Sequence, residues 1–185
     1  MSRGRLFVLS GPSGVGKSTV IAELLKARPD MHFSVSVTTR PPRPGEVDGK
    51  DYYFISPEEY DAMVENNELL EHAKYVGGGY GTPAKIIDEM LEQGRDVLLD
   101  IEVQGAQQIS KSRPEAIKIF ILPPSLEELE TRLRGRGTND EETIQRRVQR
   151  AREEIALSGT YDHNVINDSV ENAVKEILDI MESHK

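Results

Sequence analysis

Short apolar runs alternate with amphipathic stretches along most of the chain, which is the pattern of an α/β protein. The run at residues 6–9 predicts a buried strand, and residues 19–27 predict a helix that ends before Pro29. Three further apolar runs predict strands, at residues 97–101, 117–122 and 164–167. The last helix carries its apolar side chains on one face, at Val170, Val174, Ile177, Leu178 and Met181. We therefore expect a three-layer core in which helices cover a mainly parallel sheet.

The middle of the chain has a different pattern, in which short β-like runs dominate. These runs lie at residues 33–37, 52–55 and 69–75. Ser56, Pro57 and Glu59 have the spacing of a capping box and predict a short helix to about residue 67. Another helix is predicted to begin after Thr82-Pro83 and to run toward residue 93. We interpret residues 34–83 as a β-rich lobe inserted into a core made of residues 1–33 and 84–185.

Residues 131–152 are rich in arginine. The arginines are Arg132, Arg134, Arg136, Arg146, Arg147, Arg150 and Arg152, and the acids among them are Asp140, Glu141 and Glu142. Apolar stripes before and after residues 135–138 predict two helices, one on Leu126, Leu129 and Leu133 and one on Ile144, Val148, Ala151 and Ile155. An arginine-rich helical lid over phosphates, at about residues 126–155, would have this composition. Solvated helix surfaces would have it too, so both interpretations stay open for each arginine.

Residues 11–18 read GPSGVGKS and match G-x-x-x-x-G-K-[ST] at every fixed position. The match lies between a predicted strand and a predicted helix, where a glycine-rich turn directs successive backbone N–H groups into one hollow. In such a loop the lysine, Lys17, reaches the β- and γ-phosphates and the hydroxyl of Ser18 binds Mg²⁺. A turn that only required positive φ angles would not need these two residues. We therefore predict a P-loop that binds a nucleoside triphosphate through Gly11, Pro12, Ser13, Gly14, Val15, Gly16, Lys17, Ser18 and Thr19.

Amino-acid composition and net charge exclude or disfavour several classes of protein. The chain has 185 residues, a net charge of −9 and no cysteine, which excludes disulfides, thiolate metal sites and a cysteine nucleophile. An acidic chain is a poor candidate for nucleic-acid binding, because that affinity depends on neutralising phosphates with cations. No apolar run approaches the length of a membrane span, and we expect no signal peptide before the first strand. A cytoplasmic protein is expected, with no membrane partner and with the choice between monomer and homo-oligomer undecided.

A second anion site would distinguish a phosphotransferase from a triphosphatase. Arg40 and Arg43 lie three residues apart beside threonine hydroxyls, and paired guanidinium groups suit a phosphate dianion. Tyr52, Tyr53 and Tyr80 could add phenolic donors. Each feature has a plain alternative: the arginines could be surface residues, and Glu71 could be an edge-strand acid that faces water. Residues 77–79, three glycines, suit either a hinge or a hairpin turn.

Many short motifs, in the same order, resemble the guanylate kinase family. The matching stretches are residues 11–19, 34–43, 45–54, 66–71, 79–82, 100–105 and 132–138, together with Asn167-Asp168. The resemblance extends over nearly the whole chain. It implies a P-loop core, a GMP-binding lobe and a lid. It also implies Mg²⁺-dependent transfer of the γ-phosphoryl group of ATP to GMP, and to dGMP, giving ADP and GDP.

Site residues follow from the resemblance one by one. It implies that GMP is bound by Ser36, Arg40, Arg43, Tyr52, Glu71, Tyr80, Thr82, Asp100 and Glu102, with Glu71 on the guanine N1–H and 2-amino group. It implies that Arg132, Arg136 and Arg147 close over the ATP phosphates, that Asn167 lies near the adenine, and that Asp100 orders Mg²⁺-bound water. Lys17, Arg40, Arg136, Arg147 and Asp100 would be catalytic. Thr82 stands where some members have serine, and Glu102 stands where aspartate is frequent.

The expected chemistry needs no general base. The attacking atom would be a phosphate oxygen of GMP that is mostly ionised at neutral pH, since the second pKa of a phosphate monoester is about 6. Catalysis then consists of positioning and charge stabilisation. Accordingly we expect the four histidines to be structural or surface residues, because their positions form no evident catalytic motif. They are His32, His72, His163 and His184. Three alternatives stay open: a guanylate-kinase-like binding module without catalysis, a P-loop kinase for another acceptor, and a P-loop hydrolase.

Overall fold

The computed structural model describes residues 2–135, 137 and 140–185 of the chain. By contacts it divides into two compact units. The first unit contains Met1–Phe7 and Asp30–Ala116, and the second contains Val8–Pro29 and Ile117–Lys185. The division into a core and an inserted lobe at residues 34–83 has other boundaries and stays a prediction.

Strands and helices alternate as the apolar pattern predicts. In chain order to residue 92 they are β1 (Leu6–Ser10), α1 (Lys17–Ala27), β2 (His32–Phe33), β3 (Val37–Thr38), β4 (Tyr53–Phe54), α2 (Pro57–Glu65), β5 (Leu69–Tyr75), β6 (Gly78–Pro83) and α3 (Ala84–Glu92). The others are β7 (Val97–Asp100), α4 (Val103–Ser112), β8 (Ile117–Leu122), α5 (Leu126–Gly135), α6 (Glu141–Ala156), a 3₁₀ turn (Ser158–Thr160), β9 (His163–Ile166) and α7 (Val170–Ser183). No described helix has the length and apolar content of a membrane span.

Two sheets organise the described part of the chain. A five-stranded parallel sheet has the strand order β2-β7-β1-β8-β9, and a four-stranded sheet has the order β4-β3-β6-β5. Within the first unit β2 pairs in parallel with β7, and within the second unit β8 pairs in parallel with β9. Every residue of β1 is buried, as expected for a parallel strand that is covered on both faces. The predicted α/β fold class is confirmed.

One predicted β run is wrong as a single element. Residues 33–37 alternate apolar and serine side chains, but they contribute to two different sheets. The N–H of Ser34 donates to the carbonyl of Leu98 in the five-stranded sheet, whereas the carbonyl of Ser36 accepts from Tyr53 in the four-stranded sheet. The chain therefore leaves one sheet and enters the other between these serines. Alternation of apolar and polar residues predicts an extended chain, but it does not show which strand will pair with that chain.

The glycine-rich stretch at residues 77–79 belongs to a hairpin. Strands β5 and β6 pair antiparallel, with Tyr75 opposite Gly78, so Val76 and Gly77 form a two-residue turn. The geometry favours the hairpin alternative over the hinge.

The two helices predicted around the arginine-rich turn share a small core of their own. Their predicted apolar stripes meet in a buried cluster of Leu129, Leu133, Ile144, Val148 and Ala151, with Ile155 packed against it. Leu126, which was predicted to join the first stripe, is 37% exposed. Helix α6 begins after Asp140, whose carboxylate accepts the N–H of Thr143 at 2.8 Å. Packing and capping thus account for both helices.

Candidate active site

The glycine-rich loop of the second unit joins β1 to α1, as its motif predicts. Gly14 and Gly16 have φ angles of 84° and 88°, which side-chain-bearing residues adopt only with strain. Gly16 is also the N-cap of α1, so no side chain caps this helix, and its first turn carries no acid. The first N–H groups of α1 and its positive dipole end therefore favour an anion at this loop. Lys17 is the first residue of the helix and is half-buried.

Three predicted donor-site residues contact this loop. The side-chain amide of Asn167 donates to the carbonyl of Val15 at 2.8 Å, and Nη1 of Arg132 donates to the same carbonyl at 3.3 Å. Nη2 of Arg147 donates to Oγ of Ser13 at 2.5 Å. The second unit therefore brings residues from α5, α6 and the segment after β9 to the glycine-rich loop. Arg136, predicted to act with them, lies outside the described residues, and its role stays a prediction.

Asn167 has a second feature of interest. It is 4% exposed, and its side-chain oxygen Oδ1 is buried without a hydrogen-bond partner among the described residues. A buried carbonyl oxygen without a donor is unfavourable by about 1–3 kcal/mol, so it marks a place where a ligand donor would be stabilising.

The arginine-rich surface also contains residues with ordinary structural roles. Arg134 pairs with Glu130 at 2.7 Å and also contacts Glu141 at the start of α6. These two carboxylates raise the pKa of Arg134, and Arg134 lowers the pKa of Glu141 to about 2. For Arg134 the solvated-surface interpretation is the better one.

In the first unit, Arg40 lies at the centre of a polar cluster. It is only 9% exposed, and its guanidinium carbon lies 5.2 Å from the ring centroid of Tyr52. Its Nε donates to Oη of Tyr80 at 3.2 Å, and the rings of Tyr52 and Tyr80 are 6.0 Å apart. Three of the predicted phosphate-binding residues are thus brought together by the segment after β3, the residue just before β4, and strand β6. The alternative that Arg40 is a surface residue is wrong.

Two other predicted residues of this site lie apart from that cluster. The Arg43 side chain is exposed and forms no hydrogen bond within the described ranges, while its backbone N–H donates to Glu46 at 2.7 Å. Ser36 is half-buried, and its carbonyl accepts from the N–H of Tyr53. The structure therefore leaves the side-chain roles of both residues as predictions.

Glu71 does not face water, although β5 lies at the edge of its sheet. It is 9% exposed, and Oγ1 of the buried Thr82 donates to its Oε1 at 2.6 Å. Burial is the main cause of a raised pKa at Glu71; the Thr82 hydrogen bond and His72 lower that pKa, and Glu102 raises it. A buried carboxylate with one of its oxygens accepting a hydroxyl has further acceptor capacity for a ligand.

A glycine controls the position of that carboxylate. A Cβ on Gly105, in the first turns of α4, would lie 2.8 Å from Oε2 of Glu71. Glu102, the N-cap of α4, accepts a hydrogen bond from the hydroxyl of Tyr75 at 2.9 Å. The segment that begins α4 thus shapes one side of the Glu71 site.

Oxygen ligands suited to Mg²⁺ are present in both units. Ser18 carries an exposed hydroxyl in the first turn of α1, and Asp100 carries an exposed carboxylate at the end of β7. Across residues 2–135, 137 and 140–185 no group of three or more histidine or acidic residues could hold a metal. Mg²⁺ characteristically keeps several waters and binds through one or two protein oxygens plus substrate phosphates, so each of these oxygens by itself suits Mg²⁺ that arrives with a nucleotide.

Sequence reasoning missed Glu46 and Gly105. Both carboxylate oxygens of Glu46 accept hydrogen bonds from Arg40, at 2.7 and 3.0 Å. The signal for Glu46 was an acid near two arginines in a Pro-Gly turn. Gly105 ends the family-matching stretch at residues 100–105, but that stretch did not indicate its contact with Glu71, a residue 34 positions earlier in the chain.

An α/β fold with a glycine-rich loop between β1 and α1 defines a P-loop nucleotide-binding protein. The family model described as "Guanylate kinase" matches residues 3–184. A guanylate kinase from Synechococcus sp. (strain JA-3-3Ab) is 53% identical over 95% of this chain and 81% of its own length. One from Latilactobacillus sakei is 52% identical over 98% of this chain and 90% of its own length.

A crystal structure of guanylate kinase from Anaplasma phagocytophilum superimposes with a TM-score of 0.78 and 36% sequence identity. The match covers 99% of this chain and 87% of that structure. The chain belongs to the guanylate kinase family.

Proposed function

We propose that this protein is an ATP:GMP phosphotransferase that converts GMP to GDP, and dGMP to dGDP, with Mg²⁺-ATP as the donor. Family membership supports the reaction. The observation that carries the choice of acceptor is the buried Glu71–Thr82 pair in the first unit. We place the reaction in the cytoplasm, with two nucleotides as the substrates.

The base of GMP is recognised by Glu71. A carboxylate can accept both the N1–H and the 2-amino group of guanine, and these two donors point in the same direction. Adenine has an unprotonated N1 at that edge, so it would lose the bonds and face a repulsive contact worth several kcal/mol, roughly 2–4. Thr82 fixes Glu71 by its hydrogen bond, and Ser36 and Glu102 complete the surroundings of the base.

The phosphate of GMP is bound by Arg40, Arg43, Tyr52 and Tyr80. Arg40 is held against the aromatic rings, and the exposed side chain of Arg43 supplies a second guanidinium. A phosphate dianion accepts charge-assisted hydrogen bonds from the guanidinium N–H groups that these two arginines have free within the described part of the chain. The same phosphate provides the nucleophilic oxygen, so no side chain has to remove a proton.

The donor side uses the glycine-rich loop, Lys17, Ser18 and Thr19. Backbone N–H groups hold the β- and γ-phosphates, and Lys17 neutralises the charge that develops on the transferring group. Arg132 and Arg147 act from α5 and α6, and Arg136 acts with them. The unpaired Oδ1 of Asn167 is suited to the 6-amino group of adenine.

Mg²⁺ bound to the donor phosphates would be held by Ser18 and, through water, by Asp100, and it would neutralise charge on the phosphate oxygens. The other contributions to catalysis come from side chains of the protein. Its cations orient the two phosphate groups in line and exclude water from the reacting oxygens.

Coupled measurement of ADP production with five acceptors tests this proposal. GMP and dGMP should be turned over, and AMP, UMP and CMP should be at least about a hundredfold poorer in kcat/KM. Preference for another monophosphate would favour a different P-loop kinase, ADP release without any acceptor would favour a hydrolase, and no turnover would favour a binding module.

A further inference from the structure

Glu46 is paired with Arg40 more completely than an ordinary surface acid. Its Oε1 accepts from Nη1 of Arg40 at 2.7 Å and its Oε2 accepts from Nη2 at 3.0 Å, while Oε1 also accepts the backbone N–H of Arg43 at 2.7 Å. Side-chain exposure is 10% for Arg40 and 19% for Glu46. One carboxylate therefore links the first arginine of the turn to the backbone of the second.

The hydrogen bonds of Arg40 can be counted donor by donor. Guanidinium groups have five N–H donors. Nε donates to Tyr80, Nη1 donates to both the carbonyl of Pro41 and Glu46, and Nη2 donates to Glu46. Within the described residues this leaves a single N–H, on Nη2, without a protein acceptor. The guanidinium is thus held along most of its edge and has one donor to offer.

Aromatic rings hold the same group from its face. The guanidinium carbon lies 5.2 Å from the ring centroid of Tyr52 and 6.0 Å from that of Phe54. With the rings on its face and Glu46, Pro41 and Tyr80 on its edge, Arg40 has little rotational freedom. A side chain that is already ordered loses less conformational entropy when it binds a ligand.

We propose that Glu46 is a positioning residue for the acceptor phosphate. It fixes the orientation of Arg40 and the conformation of the turn that carries Arg43, so that both guanidinium groups meet the phosphate already in place. The inference rests on the proposed function, because it needs a phosphate ligand at Arg40.

The opposite effect has to be weighed, since Glu46 adds negative charge near an anion site and its carboxylate could compete with the phosphate for Arg40. The bond to the Arg43 backbone favours positioning, because a phosphate that displaced Glu46 would also break this turn. Arg40 chiefly, and the Arg43 N–H next, lower the pKa of Glu46 to about 2. The acid therefore stays ionised and paired at every pH at which the enzyme is assayed.

The test compares Glu46→Gln with Asp51→Asn in the full-length enzyme. Asp51 lies in the same loop and accepts the N–H of Val47 at 2.7 Å without contacting Arg40 or Arg43, so it controls for loss of a loop carboxylate. Glu46→Gln should raise the KM for GMP about tenfold, because a charge-assisted pair is lost and the amide N–H₂ faces an Arg40 donor. The KM for ATP and the KM values of Asp51→Asn should stay within twofold of wild type.

Guanosine separates positioning from general damage, since it has the base but not the phosphate. Its inhibition constant against GMP should be equal in Glu46→Gln and wild type. In a double-mutant cycle, Glu46→Ala should have a much smaller effect on the KM for GMP once Arg40 is alanine, because only the conformation of the Arg43 turn is then left to change. Glu46→Asp retains the charge but is one methylene shorter, so its KM for GMP should lie between those of wild type and Glu46→Gln. This variant replaces Glu46→Gln in the test if the glutamine variant folds poorly.

Each contrary result is decisive. A lower KM for GMP in Glu46→Gln would make Glu46 a competitor of the phosphate. An unchanged KM, a matching loss of guanosine affinity or an additive cycle would overturn the positioning role. If wild type itself does not phosphorylate GMP, the proposed function fails, whereas normal wild-type turnover beside an unaffected variant contradicts only this inference.

Discussion

The two units have proposed phosphate sites of different composition. In the second unit the proposed site consists mainly of backbone N–H groups of residues 11–18, where Gly14 and Gly16 adopt positive φ angles. In the first unit the proposed site consists of side chains from separate segments, namely the turn after β3, the residue just before strand β4, and strand β6. Backbone donors are fixed by local conformation, whereas side-chain donors have to be held by partners such as Glu46. The first kind of site depends on a short motif and the second depends on a sheet.

Lys17→Ala should have the largest effect, and it tests the lysine cation at the start of α1 in a site that is otherwise built mainly from backbone N–H groups. Loss of a cation that binds more strongly in the transition state should lower kcat by about a hundredfold or more. Lys26 lies on the same helix and, among the described residues, pairs with Glu23, so Lys26→Ala provides the matched control. Steady-state kinetics with GMP and Mg²⁺-ATP measure both variants. A near-normal kcat for Lys17→Ala would remove this lysine from the mechanism.

Glu71→Gln should come next and tests the side-chain-built site. An amide can accept only one of the two guanine hydrogen bonds. The loss of binding free energy for GMP should be about 2 kcal/mol, which corresponds to a roughly thirtyfold rise in the KM for GMP. The KM for ATP should change by less than about twofold, because the donor site has its own residues. Equal effects on the two substrates would contradict the assignment of Glu71 to guanine.

Gly105→Ala should have a smaller effect on the KM for GMP. It changes the position of Glu71 in the first unit without removing any group that is proposed to bind GMP. The new Cβ would lie 2.8 Å from Oε2 of Glu71, and the flexible carboxylate would move at little cost in stability. We expect the KM for GMP to rise about fivefold with an unchanged melting temperature. Gly159→Ala, whose Cβ would meet nothing within 4 Å, is the control. An unaffected KM in Gly105→Ala would show that Glu71 does not need its present position.

The smallest effect should be the change in guanosine inhibition that follows from protonation of Glu71 at low pH. Burial raises its pKa above the usual value, so guanosine should inhibit less well as the pH falls through that raised pKa and the carboxyl becomes protonated. Guanosine is used because it lacks the phosphate of GMP, whose own second pKa of about 6 would add a separate pH dependence. Thr82→Val removes the hydrogen bond that lowers this pKa and should move the loss of inhibition to higher pH. A pH-independent inhibition constant would contradict a role for the ionised acid.

The same pKa predicts a change in stability with a definite sign. The folded chain binds the Glu71 proton more tightly than the unfolded chain, so wild type loses stability as the pH rises through the raised pKa. Glutamine does not titrate, and Glu71→Gln should therefore become more stable relative to wild type as the pH increases. Melting temperatures from acid to neutral pH measure this difference, and a constant difference would count against it.

Much of this molecule could be predicted from local pattern. The buried run of β1, the glycine-rich loop and the apolar stripes of α5 and α6 depend on residues close together in the chain, and all three are confirmed. The division of residues 33–37 between two sheets could not be predicted, because strand partners are chosen over long distances. For the same reason Glu71 was ambiguous in the sequence, and only its burial and its hydrogen bond with Thr82 distinguished a buried acid from a surface one.

By itself the sequence determined that a P-loop follows the first strand, and its ordered motifs identified the family, because these features need only neighbouring residues and their φ angles. Tertiary structure alone decided that Arg40 is held by Glu46 and two aromatic rings, and that Gly105 leaves space for Glu71. Those contacts join residues from different elements, and a side chain acquires its orientation, burial and pKa only when the partners that surround it have been assembled by the fold.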